Sequence, residues 1–271
     1  MQVSAVRLCL AAAACLLAST RGAPAQDQAV DLELVLAVDV SGSMDEDEKL
    51  LQRGGYVEAF LHEELVRTVT SGPHGRIAVT YVEWAGPGSQ TVIIPWRVID
   101  GRPSAAAFAE ELAAAPSARI RGTSISGALL FSAGLFEGNG FDAPRRVIDV
   151  SGDGPNNMGL PVVPTRDAVL ARGIVINGLP VTLKAGGIGG LGPGQLDIYY
   201  EDCVIGGPGA FILSVQDPSR FAEAIRRKLV LEIAGPAAPA LLPAALQVQT
   251  PRVDCLIGEK TRPSWLDDPN R

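Results

Sequence analysis

Asp39, Ser41 and Ser43 stand in the order D-x-S-x-S, directly after an apolar run and directly before a helix signal. One carboxylate and two hydroxyls on so short a segment offer only hard oxygen donors. Such donors suit Mg²⁺ or Mn²⁺ and do not suit zinc. The chain has two His residues in all, so neither a His-rich zinc site nor a His-based relay is expected. Two further segments carry the same chemistry. Gly122-Thr123-Ser124 opens a helix and places the Thr123 hydroxyl near its N-terminus. Ser151-Gly152-Asp153-Gly154 follows the expected strand Arg146–Val150 and places the Asp153 carboxylate at that strand's end. Three loops would deliver Asp39, Ser41, Ser43, Thr123 and Asp153 to one rim.

Delivery of that kind needs strands whose carboxyl ends lie on one side, which is where ligands bind in an open α/β sheet. The pattern supplies them. Leu32–Val40 is nearly continuous in apolar residues, as expected for a strand buried on both faces. Ser43-Met44-Asp45-Glu46 has the form of a capping box, opening a helix through Leu50, Leu51, Val57, Phe60 and Leu61. Arg76–Trp84 and Gln90–Ile99 read as strands joined by a short Gly-Pro-Gly connection, hence an antiparallel pair. Pro95 suits an edge position in the second of them. Helices are expected at Ser104–Ala115, Ser124–Phe136, Thr165–Arg172 and Ser219–Ile233. Strands are expected at Arg146–Val150, Gly173–Leu179 and Ala210–Val215. The alternation predicts a doubly wound, mostly parallel sheet with one antiparallel edge strand and helices on both faces.

With these residues in place, the chain resembles a von Willebrand factor type A domain with a complete metal-ion-dependent adhesion site. The resemblance covers about Asp31 to Gly235. More narrowly, HGRIAVTYVEWAG, RRVIDVSGDGPNN and GGPGAF look like a bacterial exported family known mainly as a domain of unknown function. The resemblance implies that Ser41 and Ser43 bind Mg²⁺ directly, and Thr123 directly or through water. It implies that Asp39 and Asp153 act directly or through water, with Mn²⁺ or Ca²⁺ as other possible occupants. It leaves one coordination position open, which in adhesive members an Asp or Glu of a protein partner completes. Two departures stand out: Arg121 precedes Gly122 where many members have a second glycine, and Pro155-Asn156-Asn157 follow Asp153. Arg121 either partners an anionic ligand or points to solvent. Glu46 and Asp47 match the spacing of a second, calcium-binding site in integrin β subunits, although acids in a first helical turn also complement the helix dipole.

The function expected on these grounds is a metal-dependent protein-binding module. Its rivals are a structural subunit of an envelope assembly and a metal-assisted hydrolase, for which Asp39, Asp153 and Glu83 are the candidate bases. Gly187-Ile188-Gly189-Gly190-Leu191-Gly192 matches G-x-G-x-x-G, but Pro193-Gly194 prevents the helix a dinucleotide site requires. His62 falls on the first helix, where a solvated side chain is expected.

The composition agrees with this picture. Of 271 residues, 47% are hydrophobic and 20% charged, with a formal net charge of −7. That balance is globular, and an acidic chain without a Lys/Arg run is no partner for nucleic acid. Residues 1–25 read as a signal peptide, with a basic Arg7, an apolar stretch from Leu8 to Ala18 and an Ala23-Pro24-Ala25 cleavage site. Residues 26–235 form the expected domain, and 236–271 a Pro/Ala-rich tail. Export to the periplasm or beyond would leave Cys203 and Cys255, either as one disulfide or as a buried and an unpaired thiol. No transmembrane segment is expected in the mature chain, because Pro236, Pro239 and Pro243 interrupt the longest later uncharged stretch.

Overall fold

The run after Asp31 is apolar apart from Glu33 and Asp39 because it is the middle strand of a sheet covered on both faces. All seven residues of β1, Glu33–Asp39, are buried. The structure, a computed structural model, describes residues 27–116, 121–183, 191–192, 194–235 and 251–262. The expected signal peptide and most of the Gly-rich loop lie outside them. After β1 come α1 (Glu46–Leu61), α2 (Glu63–Thr70), β2 (Ile77–Trp84), β3 (Gln90–Ile99), α3 (Arg102–Ala114) and α4 (Ile125–Gly134). Then follow β4 (Arg146–Gly152), α5 (Val162–Leu170), β5 (Ile174–Pro180), α6 (Gln195–Tyr199), a π turn at Tyr200–Val204, α7 (Phe221–Ala234) and α8 (Ile257–Thr261).

The sheet order is β3-β2-β1-β4-β5, with every pair parallel except β2 with β3. This is the doubly wound arrangement with one antiparallel edge that the alternation predicts. Asp39 lies opposite Trp84 and Val38 opposite Ser151, so the ends of β2, β1 and β4 stand level. Residues of β1 alternate between two cores. Leu34, Leu36 and Val38 pack with Tyr56, Phe60, Phe108 and Ile225 of α1, α3 and α7. Val35 and Ala37 pack with Leu129, Val169 and Tyr200 on the other face. Helix α7 lies close on α1 because Gly55 has no side chain: a Cβ there would come within 2.7 Å of Ile225 Cδ1.

Several local expectations need correction. The capping box is formed by Asp45 and Glu48, not by Ser43 and Glu46. The Glu48 N–H donates to Asp45 Oδ1 at 2.9 Å and the Asp45 N–H to Glu48 Oε2 at 2.8 Å. The first helix stops at His62, whose Nδ1 accepts from the Glu64 N–H and caps α2. His62 Nε2 also lies 2.8 Å from Arg226 Nη1, so the ring is held rather than solvated. Segment 210–215 follows β5 only through isolated bridges, Gly178 with Ile212 and Val181 with Val215. Its ladder breaks because the Phe211 N–H donates to the Asn177 side chain and Pro180 has no N–H to give. Residues 251–262 fold back onto the π turn, where Cys203 and Cys255 form a disulfide with Cα atoms 5.6 Å apart.

Beneath the sheet, Lys228 of α7 donates to Asp149 of β4 at 2.6 Å and to Glu232 one turn on. All three side chains are buried. Burial, and next the Asp149 charge, push the Glu232 carboxyl up to about 8, with Lys228 opposing. The folded chain therefore holds a proton at Glu232 that the unfolded chain releases near pH 4.5. This contribution is complete below that pH and is lost as pH rises to about 8. Asp149, also raised chiefly by burial, acts in the same direction. Glu232→Gln is expected to flatten the decline in stability between pH 5 and pH 8, measured by urea unfolding at both.

Candidate metal centre

The loop after β1 turns sharply because Asp39 bonds its own backbone: the Ser41 N–H donates to Asp39 Oδ1 at 2.7 Å. That turn brings the Ser41 and Ser43 hydroxyls to 2.9 Å from each other. Ser43, free of the capping role, donates to Asp153 Oδ1 at 2.7 Å, across 110 residues of sequence. Thr123 joins the same loop through its backbone. Its N–H donates to Asn157 Oδ1, and its carbonyl accepts from the Asn157 N–H at 2.9 Å. The Ser124 N–H donates to the Ala85 carbonyl at the end of β2. All five expected residues thus stand at or just beyond the level ends of β1, β2 and β4. Asp39, Ser41, Thr123 and Asp153 are buried, while Ser43 is half-buried and opens the cluster to the surface.

The electrostatics favour a cation. Burial first, and the Asp153 charge second, raise the Asp39 carboxyl well above the usual carboxylate range. Its Oδ2 is buried with no hydrogen-bond partner among the described residues. A buried carboxylate oxygen without a donor is costly, and a divalent ion relieves both that cost and the repulsion from Asp153. No group of three or more His, Cys, Asp or Glu side chains placed to hold a metal exists among the described residues. Any ion held here is therefore held by the mixed hydroxyl and carboxylate oxygens, and the residues present fit one.

Other residues brace this cluster, and their letters alone did not mark them. The Gln52 side chain donates to the Asp39 carbonyl at 3.1 Å. Tyr200 of the π turn brings its buried hydroxyl against Gly152. A Cβ on Gly152 would meet that hydroxyl at 2.8 Å and Asp39 Oδ2 at 3.0 Å, so only glycine fits between them. Asn156 accepts the Ser126 N–H at the start of α4. A long-range signal for Tyr200 did exist in the Cys203 that follows it, since the disulfide fixes the turn carrying both.

Glu83, one expected base for a hydrolase, is 3% exposed and ion-paired with Arg53. Glu46 and Asp47 are exposed in the first turn of α1. Arg121 is exposed.

A family model described as "Protein of unknown function (DUF1194)" matches residues 29–237. No curated protein matches the chain. Among solved structures, proximal thread matrix protein 1 from the mussel byssus aligns with TM-score 0.54 at 15% identity, over 75% of this chain and 47% of that one. A structure of the same mussel protein with a zinc-occupied MIDAS motif aligns with TM-score 0.50 at 16% identity, over 78% and 49%. The pilus adhesin SpaC from Lactobacillus rhamnosus GG aligns with TM-score 0.53 at 12% identity, over 77% and 32%. This chain spans half or less of the length of each. At these identities the likeness is one of fold, and that fold is the von Willebrand factor A type. The neighbours are matrix and adhesion proteins rather than enzymes.

Proposed function

The chain belongs to the DUF1194 family of unknown function, and from that membership and its von Willebrand factor A-type fold we propose an exported protein-binding module that works through a divalent cation. Asp39, Ser41, Ser43, Thr123 and Asp153 hold Mg²⁺, or Mn²⁺ or Ca²⁺ in its place, and the ion bridges to an Asp or Glu side chain of a partner protein. The observation that carries this reading is the single hydrogen-bonded cluster of Ser41, Ser43 and Asp153 beside a buried Asp39 oxygen that has no donor among the described residues. Hydroxyls supply several of the donors and carry no charge, so a bound ion keeps its appetite for an outside carboxylate. Export is supported by the leader-like N-terminus. Among the described residues no helix is long and apolar enough to cross a membrane.

The test is a calorimetric titration of Mg²⁺ into the mature chain from Gln26, in buffers of differing ionisation enthalpy. Because Asp39 holds its proton more tightly than an ordinary carboxyl, ion binding is expected to release protons and to weaken as pH falls. Saturable binding without proton release would contradict the role given to Asp39. Absence of binding would sink the reading.

A further inference from the structure

The tail beyond the domain reaches the metal loop. Asn156, three residues after Asp153, is fully buried and is held from four sides. Its backbone N–H donates to the Tyr199 hydroxyl at 3.1 Å, and its Oδ1 accepts from the Ser126 N–H at 3.0 Å. Its amide nitrogen donates to the Leu160 carbonyl at 3.1 Å and to Glu259 Oε1 of α8 at 2.7 Å. Together with the Ser126 and Leu160 bonds, the last bond fixes which way the amide points. Flipping it would set an NH₂ group against the Ser126 N–H and an oxygen against the Glu259 carboxylate. Without Glu259, one buried N–H loses its acceptor and that orientation loses one of the three bonds that hold it.

The tail is built to hold Glu259 there. Cys255 is bonded to Cys203 in the π turn that also carries Tyr200. Arg252 pairs with Glu201 at 2.6 Å and Asp202 at 2.7 Å on the same turn. Gly258 lies flat on the metal loop: a Cβ there would stand 2.1 Å from the Asn156 carbonyl oxygen. We propose that segment 251–262 is a strut of the metal loop and that Glu259 is a positioning residue for the ion site, acting through Asn156. This rests on the metal reading given above. The path is short, since Asn157 next to Asn156 holds both the N–H and the carbonyl of Thr123.

The test compares Mg²⁺ titrations of the full chain with variants of the tail. Glu259→Ala is expected to weaken Mg²⁺ binding about tenfold or more, the usual scale for losing a group that orients a ligand. Glu259→Gln, which keeps an oxygen to accept from Asn156, restores most of it. Gly258→Ala and the Cys203→Ser/Cys255→Ser pair weaken binding in the same way. Lys260→Ala, which among the described residues breaks only an ion pair with Asp254 inside the tail, does not. Hydrogen exchange at the Ser126 amide gives a readout independent of metal and should quicken in Glu259→Ala. Unchanged affinity and unchanged exchange in that variant overturn the strut. Equal losses in the Ala and Gln variants overturn the hydrogen-bond mechanism. A wild type that fails to bind Mg²⁺ while exchange at Ser126 still responds to Glu259 overturns the metal reading alone.

Discussion

Asp39→Asn is expected to abolish Mg²⁺ binding while making the ion-free chain more stable, not less. The Asn side chain keeps an oxygen for the Ser41 N–H and removes the charge that burial and Asp153 both disfavour. The apo protein then no longer bears two neighbouring acids in one desolvated pocket. Affinity should fall by more than about 100-fold, beyond the range seen when only an orienting group is lost. The measurement is thermal unfolding with and without Mg²⁺. At a concentration 100 times the dissociation constant, a bound ion adds about 2.7 kcal/mol to wild-type stability, and the variant should gain nothing. A partner captured by wild type should likewise escape the variant and be released from wild type by a chelator. A variant that is less stable without Mg²⁺, or that still gains from it, would mean that Asp39 serves only as a turn residue.

Lys228→Met should cost the fold more than any surface change. The ammonium is 1% exposed and sits between Asp149 and Glu232. It also lies 5.1 Å from the centre of the Phe211 ring. Removing it leaves two buried acids facing each other, and breaking a buried pair in this way costs about 3–5 kcal/mol. That is a large part of the ~5–15 kcal/mol by which domains are held together. The loss should shrink as pH falls, because protonating Asp149 and Glu232 removes their need for a cation. It should also shrink in a triple variant with Asp149→Asn and Glu232→Gln. Urea unfolding at pH 5 and pH 8 checks both. A uniform loss at the two values would show that packing of the lysine stem, not charge, is what matters.

The sheet and the five candidate ligands were legible in the sequence because each rests on a local pattern. An apolar run names a buried strand, and a polar residue just past its end names a rim position. Such patterns alone place Asp39, Ser41, Ser43 and Asp153 at the strand ends. What escaped depended on choices between near-equal local options or on distant pairing. Two overlapping capping boxes compete at 43–48, and only the demand of Asp153 for the Ser43 hydroxyl shows why Asp45 takes the cap. His62 looks like one more helical residue until Arg226 of α7 reaches it. Asn156 and Glu259 are 103 residues apart, and nothing in either neighbourhood names the other. Segment 210–215 has a strand's composition, yet its pairing depends on the Asn177 side chain and on Pro180 in the neighbouring strand.

The bond between Cys203 and Cys255 closes a covalent ring whose ends are 52 positions apart in sequence, and the whole of α7 lies inside it. Closing a ring of that size removes chain entropy from the unfolded state worth about 4 kcal/mol in the simplest treatment. It also changes what a protease can accomplish. A single cut anywhere in the ring leaves the two pieces joined, so the helix carrying Lys228 and the segment carrying Glu259 stay tethered to the molecule. For an exported protein, damage at one peptide bond becomes a nick rather than a loss.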